Sequence, residues 1–189
     1  MGKITAITTV TLDGVMQAPG HSDEDRRGGF AHGGWAAPYG AMAQLGGGPM
    51  GGGAMLFGRR TWENFYAVWP KRKESPFSAL LDNMRKYVAS RTLKEPLAWQ
   101  NSILLKGDAA DAVAKLKAES GDLVILGSGE LVRSLMPRKL VDEFVVLIHP
   151  LVLGSGRRLY AEGREAAALR LVSSRATDNG VVIATYRPA

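Results

Sequence analysis

The chain has 189 residues, 46% of them hydrophobic and 22% charged, with a formal net charge of +6 and no cysteine. That size fits one domain over residues 1–189, with a core large enough to need no staple. The lack of Cys excludes disulfides, thiol nucleophiles and thiolate metal sites, and fits a reducing cytoplasm. The basic balance leaves open a merely basic surface or attraction of an anionic small molecule. The scattered Lys and Arg argue against nucleic acid, and the absence of a signal h-region or a membrane-length apolar run argues against a membrane.

Ile4 to Val10 predicts a buried strand, with Ile4, Ala6, Thr8 and Val10 on one face and Ile7 and Thr9 on the other. Asp13-Gly14 turns the chain. Residues 18–53 break the pattern, being rich in Gly and carrying Pro19, Pro38 and Pro49. The run from Gly46 to Gly53 cannot hold a regular helix cheaply, although a short helix fits Pro38 to Leu45. The stretch reads as a long functional loop. A disordered insertion is the other reading, and Trp35 and Tyr39 count against it, because large aromatic side chains need something to pack on.

Ala54 to Phe57 predicts a short buried strand ending at Gly58, with a helix from Arg60 to Ala67 after it. Pro76 opens a helix to Met84, and Tyr87 to Ala89 and Ser102 to Leu105 are strands. Ala109 to Glu119 is amphipathic, with Ala109, Ala112, Val113 and Leu116 inward and Lys115, Lys117 and Glu119 outward. Leu123 to Leu126 is a fully buried strand, Gly127-Ser128-Gly129 opens a helix to Leu135, and Pro137 stops it. Val141 to His149 is a strand. Leu169 to Ala176 and Val181 to Tyr186 alternate around Asp178-Asn179-Gly180, a hairpin signal. The order predicts an α/β fold: a mostly parallel sheet with helices on both faces and an antiparallel C-terminal hairpin.

Three segments share one grammar, an apolar strand followed by a short polar or glycine turn. They are Met55 to Thr61, Tyr87 to Thr92, and Val124 to Glu130. In an open parallel sheet the C-terminal strand ends face one crevice, so the three turns are expected to converge. Gly58 lets an anion approach the backbone, the next helix offers free N–H groups, and Arg59 and Thr61 add charge and a hydroxyl. Ser90, Arg91 and Thr92 surround one guanidinium with donors, which suits a phosphate monoester. Gly127-Ser128-Gly129 repeats the helix-start device. Each turn alone also reads as a cap, a surface basic residue or a tight turn; the ordered set is more specific.

The set resembles the dihydrofolate-reductase superfamily, and within it the reductase domain of the riboflavin-biosynthesis deaminase–reductase (the RibD C-terminal domain) and its stand-alone relatives. Thr11 to Met16 is similar to that family's first-strand exit, and Leu56 to Glu63 to its Gly-Arg-x-Thr-x-Glu motif. Val88 to Thr92 and Leu126 to Leu131 are similar to its second phosphate turn and its glycine turn. Asp142 to Phe144 and Pro150 to Gly156 are similar to its late strand and glycine-rich exit. The resemblance implies a dihydrofolate-reductase-like fold and NADPH-dependent reduction of a pterin-, flavin- or ribitylamino-pyrimidine-like substrate, (phosphoribosylamino)uracil-reductase-like or dihydrofolate-reductase-like in kind. Gly58, Arg59, Arg60 and Thr61 would hold the cofactor pyrophosphate, and Ser90, Arg91 and Thr92 the 2′-phosphate. Gly127, Ser128, Gly129, Glu130 and Leu131 would run along the pyrophosphate and nicotinamide ribose. Asp13 and Gly14 would lie near nicotinamide and substrate, with Trp35 and Tyr39 as a lid.

The sequence departs from the family's pattern: Pro38 to Leu45 has no carboxylate where folate-reducing members carry an acid, which argues against folate. No zinc deaminase motif is present. His21, His32 and His149 are far apart and read first as surface or loop residues, with a metal site the weaker alternative. Asp13 fits two roles, proton donor or acceptor of loop N–H groups, and Trp62 fits the core or ring stacking. A binding protein for nucleotide or flavin that turns nothing over is the rival on the same fold; a phosphate-ester enzyme lacks a nucleophile or metal. Apolar residues on both faces of Val145-Val146-Leu147-Ile148 predict a homodimer through the late strands.

Overall fold

The β-branched and apolar run Ile4–Thr11, strand β1, lies near the centre of an eight-stranded sheet in the computed structural model. The structure describes residues 2–40, 42, 45, 53–160 and 166–189. On one side β1 pairs in parallel with β5 (Leu123–Leu126), and beyond it come β2 (Ala54–Gly58), β3 (Lys86–Ala89) and β4 (Ser102–Leu105), all parallel. On the other side β1 pairs in parallel with β6 (Glu143–His149). Beyond β6, β8 (Val182–Pro188) runs antiparallel and β7 (Leu169–Ala176) closes the edge as its hairpin partner. Spatial and chain order part at β1 and β5. The chain skips from β1 to β2, walks outward to β4, and returns to insert β5 beside β1. A crevice opens at the C-terminal strand ends where such an order reverses.

Helices cover both faces, as the alternation in β1 requires. Ile4, Ala6 and Val10 pack with Val113 and Leu116 of α3 (Ala109–Glu119) and with Leu131, Val132 and Leu135 of α4 (Gly129–Leu135). Ile7 faces the other way, with Met55, Phe57, Trp62 of α1 (Arg59–Val68) and Leu81 of α2 (Pro76–Asn83). Trp62 is therefore core, its indole N–H donating to Ser102 Oγ at 3.0 Å.

Lys117 departs from the amphipathic expectation. It points inward, and its ammonium donates to Leu140 O at 3.0 Å and to Asp142 Oδ1 at 2.7 Å. The short helix expected from Pro38 is a 3-10 turn over Ala37–Tyr39, ended by Gly40 at φ 56°. Most of the expected helix beyond Gly40, and Gly46 to Gly52, lie outside the described residues.

The first half of the long loop is ordered around Gln17, which is buried. Its amide donates to the carbonyls of Asp25 (3.1 Å) and Arg27 (2.9 Å) and accepts from Arg157 N–H at 2.9 Å. Its own carbonyl accepts the Trp35 indole N–H at 2.7 Å. Val15, Ala18, Phe30 and Trp35 make a small apolar core beneath it. No helix among the described residues is long and apolar enough to cross a membrane.

Candidate functional site

All three turns open onto one cleft of about 1250 Å³, at the C-terminal ends of β2, β3 and β5. Gly58 to Thr61, Ser90 to Thr92 and Gly127 to Leu131 all line it. The first and third turns are tied together: Gly58 N–H donates to Ser128 Oγ at 3.1 Å, and Ser128 Oγ donates to Leu126 O at 3.2 Å.

The start of α1 is electrostatically unusual. It has no side-chain cap and no acid in its first turn, which instead carries Arg59 and Arg60. Uncapped N–H groups and the positive end of the dipole already disfavour cations there, so the position calls for an anion. Arg59 is only loosely engaged, with Nη1 3.4 Å from Glu63 Oε1. In the second turn Ser90 Oγ accepts from the N–H groups of Thr92 (3.1 Å) and Leu93 (3.0 Å), which folds the turn around an exposed Arg91. Arg91 has no ion-pair or hydrogen-bond partner among the described residues.

The third turn differs from the expected helix-start cradle. Its Gly127 N–H is committed to Ile7 O at 2.9 Å, and Glu130 brings negative charge into the first turn of α4. Glu130 is the common counter-ion of three guanidinium groups, at 3.8 Å from Arg27, 3.6 Å from Arg60 and 3.7 Å from Arg157. The turn acts as a latch and a close wall rather than as a free anion site.

The long loop builds the rest of the wall with Gln17, His21, Glu24, Asp25 and Arg27, joined by Asn64 of α1 and Arg157. Burial would raise the Asp25 carboxyl, but its hydrogen bonds and charge contact with Arg27 outweigh that and hold it low. Burial does raise the Glu24 carboxyl, against a 2.6 Å hydrogen bond from Gly20 N–H and the nearby His21. None of these loop residues carries a motif, so sequence periodicity gave no signal for them.

Asp13 does not line the cleft. Its carboxylate accepts from Thr11 Oγ1 at 2.6 Å, Gly154 N–H at 2.9 Å and Leu153 N–H at 3.2 Å, and these bonds hold its pKa below the usual range. Of its two expected roles the geometry serves the structural one, because an ionised, fully engaged carboxylate has no proton to give. Gly14 sits beside it, its carbonyl taking Leu159 N–H at 2.9 Å. The lid expectation for Trp35 and Tyr39 also changes, since neither ring lines the cleft and the neighbouring Ala36, Ala37, Gly40 and Met42 do. The two rings grip His149 edge-on, at 5.2 Å and 5.0 Å between centroids.

His149 is buried and lines the cleft, contrary to its expected surface or loop setting. Burial lowers its pKa, partly opposed by the carbonyls of Leu147 and Val10, so it is neutral near pH 7. Its Nε2 has no hydrogen-bond partner among the described residues. No group of three His, Asp or Glu side chains among the described residues converges as metal ligands.

A family model of the RibD C-terminal domain matches residues 2–183. The chain belongs to the RibD C-terminal domain family. That is a family of riboflavin-pathway-type reductases with the dihydrofolate-reductase-like fold. The uncharacterised protein YyaP of Bacillus subtilis is 31% identical over 137 residues, 70% of this chain and 72% of that protein. A putative riboflavin biosynthesis protein from Shewanella sp. PV-4 superposes over 99% of both chains with a TM-score of 0.69 at 20% identity. A pyrimidine reductase-like protein from Corynebacterium diphtheriae gives a TM-score of 0.64 at 14% identity, over 100% of this chain and 92% of that one. RibD of Acinetobacter baumannii gives 0.63 at 13% identity, and this chain spans 58% of its length. At these identities the solved structures speak for the fold.

Proposed function

We propose that the chain is an NADPH-dependent reductase that passes hydride to a small heterocycle of pterin, flavin or ribitylamino-pyrimidine type. One joint observation carries the reading. An uncapped helix start bearing Arg59 and Arg60 and a turn bearing the unpaired Arg91 open on the same cleft, with the Ser128 latch bound to the first of them. A phosphorylated dinucleotide carries negative charge in two separated places, which is what two separated cationic turns recognise.

In this reading Gly58, Arg59, Arg60 and Thr61 hold the pyrophosphate, and Ser90, Arg91 and Thr92 hold the 2′-phosphate. Gly127, Ser128, Gly129, Glu130 and Leu131 give a close wall along the pyrophosphate and nicotinamide ribose. The reduced nicotinamide supplies the hydride. The first half of the long loop, tied together by Gln17, walls the substrate half and sets the angle of approach. The neutral, buried His149 braces the cleft wall between the rings of Trp35 and Tyr39. The lack of Cys fits work in a reducing cytoplasm.

The test is NADPH oxidation by the purified chain across a panel of pterins, flavins and ribitylamino-pyrimidines. Oxidation with at least one panel member is expected. Binding of NADPH without oxidation of any would favour the second reading, a nucleotide- or flavin-binding protein, to which the locked state of Asp13 lends weight. No binding at all ends both.

The proposal includes a homodimer, but not through the faces of Val145, Val146 and Leu147, which the chain's own core buries. The exposed apolar residues Leu171 and Val172 lie on the edge strand β7, where a second copy would cover them. Sedimentation equilibrium should return the dimer mass, and Leu171→Lys should return the monomer.

A further inference from the structure

Four carboxylates line the cleft among the described residues, and three are already committed. Asp25 is bound to Arg27. Asp108 caps α3, taking the N–H groups of Ala110 (2.9 Å) and Asp111 (3.1 Å). Glu130 sits among three arginines. Glu24 alone has no Lys or Arg within ion-pair distance among the described residues. Its carboxyl takes Gly20 N–H at 2.6 Å and a backbone contact from His21, both neutral donors of its own loop. Its position is not loose, because Asn64 of α1 donates to its carbonyl at 2.9 Å and fixes the loop to the helix that opens the cleft.

We propose that Glu24 is the proton donor of the cleft, giving its carboxyl proton to the ring nitrogen or carbonyl oxygen of a C=N or C=O heterocycle as the neighbouring carbon is reduced. The inference rests on the reductase reading above. As the carbon takes up hydride from the reduced nicotinamide, the π pair moves to the heteroatom. The Glu24 O–H bond breaks, a new N–H or O–H bond forms, and the carboxylate regains its proton from water. Burial favours the protonated acid that this step needs. The charged or titratable groups that act on it are His21 and Asp25 on its own loop, α1 holds its backbone through the neutral Asn64, and Arg27, Arg59, Arg60 and Arg157 line the same cleft without pairing with it. The substrate class narrows to rings whose reducible bond ends in a basic heteroatom.

Three measurements test this on the full chain. The side-chain carboxyl carbon of Glu24, followed by carbon-13 NMR without cofactor and assigned by its loss in Glu24→Gln, is expected to titrate above ordinary carboxylates. An ordinary midpoint overturns the proposal, whatever the substrate. NADPH affinity and thermal unfolding of Glu24→Gln are expected to match wild type, since the substitution leaves the Asn64 bond in place. If wild type itself does not bind NADPH, the reductase reading fails and takes this one with it. With the best panel substrate, Glu24→Gln is expected to lose on the order of 10²- to 10⁴-fold in turnover together with its pH dependence, and Glu24→Asp to recover part. Undiminished turnover in Glu24→Gln refutes the assignment while leaving the cofactor site intact.

Discussion

Gly58 N–H donates to Ser128 Oγ at 3.1 Å, joining the exits of β2 and β5 across 70 residues of chain. Ser128 holds this contact from a left-handed backbone at φ 49°, and a Cβ on Gly58 would lie 3.7 Å from it. The geometry of the cleft wall depends on this pair. Ser128→Ala should cost about 1 kcal/mol in urea unfolding, the usual net worth of a hydrogen bond. It should also weaken NADPH binding, measured by calorimetry, because the start of α1 loses its anchor. Unchanged stability and affinity would show that the latch is incidental.

Asp13 is expected to behave as a clamp. Asp13→Ala should lower stability by about 1 kcal/mol, with the loop at Leu153 and Gly154 released and NADPH affinity nearly kept. Its folded pKa lies below the ordinary 3.8, so its contribution is complete above that value and falls away as pH drops through the folded pKa. Denaturant melts of wild type and variant should therefore converge in acid. A large loss of turnover with unchanged stability would return Asp13 to the chemistry.

Lys86 gives a prediction of opposite sign. It is fully buried, and its ammonium donates to Leu81 O (2.6 Å), Met84 O (2.8 Å) and Asp82 O (3.3 Å), closing the end of α2. Burial lowers its pKa from 10.5 to about 8, partly opposed by Asp82. The unfolded chain then binds the proton more tightly than the folded one. The cost is complete below the folded pKa and is relieved as pH rises toward the unfolded value. The stability of wild type relative to Lys86→Met should therefore rise between pH 8 and 10.5. A difference that is flat across that range would mean that the three carbonyls compensate burial in full.

The sheet and the turns were legible because they are local. Period-two alternation in β1, the apolar run of β5 and Asp178-Asn179-Gly180 each declare themselves within a few residues. What the sequence hid depends on partners far along the chain. Lys117 turns inward only because Asp142 and Leu140 await it, and Lys86 only because α2 ends beside it. Gln17 and Glu24 matter through contacts with Arg157 and Asn64, 140 and 40 residues away. His149 and Trp35 were visible as residues but not as a pair, since a loop and a strand end meet only in space.

The most direct test of the cofactor reading is thermal unfolding of wild type and Arg91→Ala with NADPH and with NADH at equal concentrations. Saturation at about a hundredfold excess over Kd raises stability by about 2.7 kcal/mol, a shift easily read. Wild type should be stabilised more by NADPH than by NADH, and Arg91→Ala should lose most of that difference while keeping its response to NADH. Equal stabilisation of wild type by the two cofactors, or an Arg91→Ala variant weakened alike for both, would contradict the assignment of the second turn.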